Sequence, residues 1–563
     1  MPAHGTETAA DNTGGQKGDL HPYDGQADDS GKALSLLYEA QAVLCDLRSR
    51  ETVFSKLTEK RKVICMKTIP KKTIWYPILF ILLIGLIAFL SFYKLDVKYV
   101  DPWDEARHGV NAYEMANGGS LIQSTYMRQA DYYNLKPPLS MYGIMLGMAI
   151  FGNTVFALRF YAALSYVLLA LCVGLFTKRY GKLESLLAVA FLAVNTTAFQ
   201  AHMIRSGDAD SLYVLLFTLA MICMMKIREN GRYSYACAFL FALAFLTKSY
   251  HAGLIAVIGG LFLLLTGELK KWKAKNWLLF LAAALLPIML WAAARYRIDG
   301  MTFFQKMWEV DVLGRTDGTL QNNIAPFSYY LSYYFGAASG KITPYLCALV
   351  ICLIAVFVFA QGIRQMEKEK KRELFGWALW ILVPLLAFSA VSNKLLWYVY
   401  PSLVPLLALA GICLGRLLKE KKLGRWLRIL TAAAGAFILL IYGNSVLQTI
   451  GKQNTNEFQE LIKTVAKSDA AQELVGCTAF VDYGSGEETE ENWSQQDVFV
   501  AEAYGDYTCV NGGITYLLTR DTLEEKTGIL FLDRETYREM ASIVTADAPL
   551  GQSEHYVAVS VGY

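Results

Sequence analysis

The chain has 563 residues, 54% of them hydrophobic and 18% charged, against roughly 25% charged in an average soluble domain. The apolar surplus falls in blocks almost free of charge. That excludes a single soluble domain, a disordered chain and a disulfide scaffold, and leaves a polytopic α-helical membrane protein. A net charge of +4 is too small to point to nucleic acid.

In chain order, residues 1–65 come first, polar and rich in Gly, Asp and Thr. They read as a disordered extension, with Gly31–Lys62 compatible with a helix. Met66 opens the run MKTIPKKTIWYPILF, an ordinary start for a membrane protein. The extension is therefore a mis-assigned start or a dispensable tail. It is not a signal peptide, because basic residues and an apolar core appear only after residue 60.

A spanning helix needs about 20 apolar residues, with about 17 as a lower limit. Hydropathy predicts eleven spans: 74–93, 156–177, 183–201, 209–226, 233–247, 251–267, 276–296, 343–362, 374–391, 395–415 and 426–444. The run 137–151 is too short and reads as a juxtamembrane or partly inserted helix. Short cytoplasmic loops collect Lys and Arg. With a cytoplasmic N-terminus, the inside segments 60–73, 178–184, 226–232, 268–275, 363–373 and 416–428 hold 27 of them. The outside connectors 202–208, 248–251 and 391–395 hold one each. Counting 137–151 as a crossing would put most basic loops on the wrong side.

This topology makes 66–444 a transmembrane domain with large outer loops at 94–155 and 297–342. The polar tail, 445–563, carries strand-like runs (TAFVDYG, GILFLD, HYVAVSVGY) around helical segments such as NEFQELIKTVAK. It reads as a small extracytoplasmic α/β domain, large enough for its own core. The ten cysteines show no CxxC pair and no zinc spacing. Only Cys477 and Cys509 lie in a polar region, where one disulfide is compatible with the sequence.

The ionisable residues near span ends gather on the outer side. In DPWDEARHGVNAYEM, Asp104 and Glu105 are adjacent acids at a helix start. A carboxylate there can take a proton from a hydroxyl or bind a divalent cation; the alternative is an N-cap and a solvated acid. In YYNLKPPLSMYG, two prolines hold the backbone extended after Lys136, which either points at a fixed site or snorkels. HMIRSGDADSLYVLL packs Arg205, Asp208 and Asp210 into one connector. Arg suits a phosphate; the alternative is a local ion-pair cluster. Lys248 in FLTKSYHAG and Lys394 in SNKLLWYVYP each interrupt an apolar hairpin, which hints at an anionic ligand. His108, His202 and His251 read as packed or solvated side chains rather than ligands. The run SYYLSYYFG reads as an interfacial aromatic belt rather than a sugar platform.

Five motifs in this order resemble the GT-C membrane glycosyltransferases: DE in the first outer loop, KPP before the next span, RSGDxD after the third, TK after the fifth, and NKLLWYVYP. Within that family the chain is similar to the protein-O-mannosyltransferase-like branch that includes lipid A aminoarabinose transferases. The resemblance covers roughly 70–420. It implies an inverting transfer from a polyprenyl-phosphate sugar to a hydroxyl of lipid A, an envelope polymer or a protein, at the outer face of a bacterial cytoplasmic membrane.

The resemblance places Asp104 at the reacting centre with Glu105 beside it. It implies that Lys136 binds the donor phosphate, and that Asp208 or Asp210 is the acid of the third connector. Lys248 and Lys394 match the TK and NKL lysines, Tyr398 lies in the same last motif, and Arg315 fits a second-loop arginine loosely. Relatives carry an acid just before the KPP lysine where this chain has Leu135, so a metal at Asp104 stays open and no other cofactor is implied.

Two other readings compete. A transporter of a lipid-linked sugar would place ionisable groups near the bilayer midplane on interrupted, repeated helices; no repeat is visible. A plain membrane anchor for the tail needs far fewer spans.

Overall fold

The structure, a computed structural model, describes residues 74–314, 323–336, 342–452, 454–469, 473–484, 491–519, 527–540 and 549–562. The expected extension 1–65 and Arg315 lie outside these residues.

An apolar run can satisfy its backbone in lipid only as a helix or a closed barrel. Here the runs form helices, with a small hairpin between the second and third. They are α1 (Trp75–Phe92), α2 (Asp104–Ala116), β1 (Thr125–Tyr126), β2 (Gln129–Ala130), α3 (Leu139–Phe151), α4 (Val155–Thr177), α5 (Lys182–Ala193), α6 (Asp210–Lys226) and α7 (Arg232–Lys248). There follow α8 (Gly253–Leu265), α9 (Ala274–Asp299), α10 (Pro344–Val358), α11 (Lys368–Ala390), α12 (Tyr400–Lys419) and α13 (Arg425–Gly451). Among the described residues, eight helices are long and apolar enough to cross a membrane. The difference from eleven lies in α6 (17 residues) and α10 (15 residues), and in α7–α8. The last pair forms one apolar stretch of 34 residues, broken where Ser249 takes φ 46°.

Side-chain ties give the helix directions. Lys248 pairs with Asp210, and the Tyr213 hydroxyl donates to the His251 carbonyl at 2.8 Å, so the start of α6 meets the α7–α8 turn. At the other end, Arg228 meets Glu268 at 3.0 Å. The chain therefore reverses at Ser249–Ala252. The basic connectors converge on that far end through Arg179–Glu229 (2.8 Å), Arg179–Glu373 (3.3 Å) and Lys419–Glu184 (2.6 Å). These ties join five of the six segments that charge bias groups together. Helix α3 starts just after Lys136 and ends just before Val155, both at the opposite end from the basic loops, so it does not cross.

Close packing and lipid exposure divide the helices. A Cβ on Gly411 of α12 would come within 2.4 Å of the Ala188 nitrogen in α5, the backbone approach that small residues permit between membrane helices. Helices α9 and α13 are only 11% buried along their most apolar windows, an outward apolar face suited to lipid.

After α13, the tail forms α14 (Glu457–Ala466), β3 (Thr478–Asp482), α15 (Gln495–Gly505), β4 (Thr508–Cys509), β5 (Thr527–Asp533), β6 (Gly551–Gln552) and β7 (Tyr556–Gly562). The strand order is β4-β3-β5-β7-β6, with β3 parallel to β4 and β5, and β7 antiparallel to β5 and β6. The three strand-like runs read from the sequence are β3, β5 and β7. One face of this sheet has a core of its own, Phe480, Leu530, Leu532, Val557 and Val559; on the other, Phe458, Phe499 and Phe531 share one buried cluster with Val110 and Tyr113 of α2 and Met141 of α3. A Cβ on Gly109 would lie 2.5 Å from the Phe499 ring, so α15 sits directly on α2. Cys477 and Cys509 are both free. The register sets Cys509 beside Ala479 instead of Cys477, so the disulfide that the sequence permits does not form.

Asp497 of α15 is buried. Its Oδ2 accepts from Tyr483 at 2.9 Å and Ser494 at 2.5 Å, while Oδ1 has no hydrogen-bond partner. Burial pushes its pKa up to about 6 from 3.8. A proton held more tightly in the folded state gives stability that is complete below 3.8 and lost as pH rises through about 6. Amide exchange of β3 and β5, corrected for intrinsic rates, should therefore show easier opening at pH 7 than at pH 4. Asp497→Asn should flatten that dependence.

Candidate active site

The site is built at the end of the bundle that carries the C-terminal sheet. Helix α2 opens at Asp104 after Trp103, whose φ of 71° turns the chain sharply. The Asp104 carboxylate thus stands in the first helical turn, where the helix dipole favours negative charge. Lys136 is brought to it by a polar lattice. Arg107 grips Asp131 through two bonds of 2.9 Å, Asn111 bonds Asp131 at 2.9 Å, and Asn134 bonds Asn111 at 2.7 Å. Two residues on, the Lys136 ammonium lies 3.2 Å from Asp104 Oδ1 and 3.4 Å from Asn134 Oδ1. Pro137 and Pro138 then turn the chain into α3.

The connector before α6 supplies the facing wall. Asp208 is buried, with Oδ2 2.9 Å from His202 Nδ1 and 2.5 Å from Ser206 Oγ. Tyr161 holds this loop by donating to the carbonyls of Gly207 (2.9 Å) and Asp208 (2.7 Å). The His202 ring stacks on Trp397 with centroids 3.5 Å apart, which ties the loop to the last motif. Asp210 pairs with Lys248, whose ammonium also lies 5.7 Å from the Tyr398 ring.

Charge sets the protonation states. Burial raises the Asp104 carboxyl, but Lys136, His108, His202 and Lys248 outweigh it and hold the group well below the ordinary carboxylate range. Burial lowers His202, but Asp208 outweighs that and lifts it to about 9. Burial and Lys136 push His108 down to about 4. Asp104 is thus an anion, His202 a cation and His108 neutral at pH 7.

The structure gathers Asp104, Lys136, Asp208, Asp210, Lys248 and Tyr398 and leaves other sequence candidates elsewhere. Glu105 is buried against Arg159, at 2.6 and 2.9 Å, and accepts from the backbone of Asp101 and Gly207. Both oxygens are engaged, so it is unavailable as a base. Arg205 bonds the carbonyls of Leu90, Ser91, Tyr93 and Lys94 at the end of α1, which meets the unpaired carbonyls of a helix terminus and leaves no fork for a phosphate. Lys394 donates to the carbonyls of Ala325 and Val391. Arg315 is outside the described residues. Tyr330 and Tyr334, expected in an aromatic belt, are buried and donate to the carbonyls of Leu395 and Leu396. They brace the last motif.

His108 and His202, read from sequence as packed or solvated, both face Asp208, His108 from 3.9 Å. For His108 a signal was present: 104 and 108 are four apart, on one helix face. Leu135 packs against Trp291, Phe303 and Met307, so the position just before Lys136 is apolar and offers no ligand. Asp104, His202 and Asp208 are the described residues whose ligand atoms lie close enough to hold an ion, all within 4.8 Å.

Residues 135–292 match the family model for dolichyl-phosphate-mannose-protein mannosyltransferase. The chain is 24% identical over 408 residues to undecaprenyl phosphate-alpha-4-amino-4-deoxy-L-arabinose arabinosyl transferase 1 of Pseudomonas fluorescens Pf0-1, covering 69% of this chain and 67% of that one. It is 28% identical over 345 residues to transferase 2 of the same strain, covering 59% of this chain and 58% of that one, under two thirds of its length. The crystal structure of ArnT from Cupriavidus metallidurans bound to undecaprenyl phosphate shares the fold, with a TM-score of 0.58 at 15% identity, over 85% of this chain and 97% of that one. The chain is thus similar in sequence to aminoarabinose transferases that use an undecaprenyl-phosphate sugar, and it shares the fold of one of them. The protein is multi-pass, and its ionisable cluster stands at one bundle end, which gives the transporter reading no support.

The Arg159–Glu105 pair is the most exposed to mutation. Removing one partner of a buried pair costs about 3–5 kcal/mol. Arg159→Met should lower the thermal unfolding temperature of the detergent-purified protein well below that of Lys136→Met, read by the temperature at which the monodisperse peak is lost.

Proposed function

We propose that this protein transfers a sugar from a polyprenyl-phosphate donor to a hydroxyl acceptor in the bacterial envelope. The acceptor is lipid A, a wall polymer or a protein. The reaction runs at the outer face of the cytoplasmic membrane, with the N-terminus inside and the C-terminal sheet outside. The concentration of basic connectors at the far end of the bundle supports that orientation. The single observation that carries the reading is the Asp104–Lys136 pair, 3.2 Å apart and facing Asp208.

Lys136, with Lys248 nearby, takes the phosphate, whose charge grows as the glycosidic bond breaks; cations fixed there stabilise that change. Asp104 accepts the acceptor hydroxyl's hydrogen bond, then its proton as the new C–O bond forms on the face opposite the leaving phosphate, which inverts the anomeric carbon. In the empty site Lys136 makes Asp104 a weak base. A donor phosphate that draws off the Lys136 charge raises the carboxylate's proton affinity, so the base strengthens when donor is bound. Asp208, held by His202 and Ser206, orients the acceptor side, and Glu105 positions α2 through Arg159.

With a polyprenyl-phosphate sugar and a hydroxyl acceptor, Asp104→Ala should cut transfer at least ~10²-fold, read as glycosylated product by mass spectrometry. Lys136→Ala should also weaken retention of polyprenyl phosphate. Both variants should insert at wild-type levels. Full transfer by Asp104→Ala would remove the assignment.

A further inference from the structure

We propose that the bundle end opposite the Asp104 cluster holds one anionic phospholipid, its phosphate on Arg416 and an acyl chain in a cavity between α8, α10, α11 and α12. The cavity measures about 930 Å³, within the ~300–1,000 Å³ of pockets that enclose a ligand. Its depth is apolar, lined by Phe262 of α8, Cys352 and Ala355 of α10, Trp377 of α11 and Leu409 of α12. Such a lining favours a hydrocarbon chain over a free anion.

The mouth sits where the spans end. Arg416 lies in the last turn of α12, Arg372 near the start of α11, and Thr266 just past α8. That is the level of phospholipid headgroups. Val356 of α10 lines the cavity and, with its neighbour Phe357, is exposed on the outer surface. The cavity therefore borders the bilayer.

Charge selects the headgroup. Five cations and four acids line the cavity. Arg179, Arg228, Lys370 and Arg372 are each paired with a glutamate. Arg416 is half-buried, has no carboxylate partner among the described residues, and stands 5.4 Å from the Tyr180 ring centroid. A guanidinium grips a phosphate through two donors, and basic pockets between membrane helices take anionic headgroups on the cytoplasmic side. A polyprenyl phosphate shares this chemistry, but Lys136 and Lys248 serve its phosphate at the opposite end, so a phospholipid is favoured here. That this end faces the cytosol rests on the orientation proposed above; binding itself does not. Helix α10 packs on α12, and a lipid in the cavity braces it against α11.

The test uses the full chain, purified and delipidated in detergent, with binding read by native mass spectrometry. Phosphatidylglycerol should bind as one retained molecule, at least ~10-fold tighter than phosphatidylethanolamine with the same chains, and millimolar inorganic phosphate should not displace it. Arg416→Gln should weaken phosphatidylglycerol by about 10-fold, the worth of a charge-assisted hydrogen bond, and bring it level with phosphatidylethanolamine. Ala355→Phe, which fills the cavity, should weaken both lipids; each variant is checked for monodispersity. Asp104→Ala should bind phosphatidylglycerol as wild type does, which separates this site from the transferase reading. Equal binding of the two lipids by wild type, or binding indifferent to both cavity changes, overturns the proposal. Displacement by equimolar undecaprenyl phosphate also overturns it, and makes the cavity a second site for the polyprenyl carrier.

Discussion

One buried guanidinium organises this end of the molecule. Arg159, one turn into α4, meets Glu105 and also donates to the carbonyls of Leu95, Lys98 and Tyr99. Glu105 in turn accepts from the backbone of Asp101 and Gly207. A membrane helix, the first loop, α2 and the connector before α6 thus meet at one charge pair. An unpaired charge at that depth would be very costly, so the pair dictates where Asp104 and Asp208 stand. The neighbour of the reacting carboxylate is therefore the group that places it.

Much of the fold was legible because lipid and strand periodicity leave strong marks. Apolar blocks became helices, the three strand-like runs became strands, and the Lys/Arg bias grouped connectors that do converge. Crossing count was less legible, since α6 and α10 are short and α7 and α8 are parted only by the brief polar turn Lys248–His251. The site was partly legible: Asp104, Lys136, Asp208, Asp210 and Lys248 do gather. Arg205 and Lys394 look identical in sequence to free cations, yet they satisfy backbone carbonyls, a use that depends on which chain ends come near. Tyr330 and Tyr334 of SYYLSYYF depart from the aromatic-belt reading for the same reason, because their hydroxyls answer to Leu395 and Leu396.

The histidines show the converse. Singly, each is best read as packing. Only the fold reveals that His108 and His202, 94 positions apart in the numbering, approach one carboxylate from two sides. Leu135 adds a contrast: beside the KPP lysine the chain turns an apolar side chain into packing with Trp291, Phe303 and Met307.

The seat of Phe499 against Gly109 has a consequence for biosynthesis. Helix α2 is covered in part by α3 and in part by α15, which follows every membrane helix in the chain. A nascent chain released early carries every membrane helix and both carboxylates, yet leaves the α15 side of α2 bare. The packing around the helix that carries Asp104 is therefore complete only once the tail has docked, however early the spans insert.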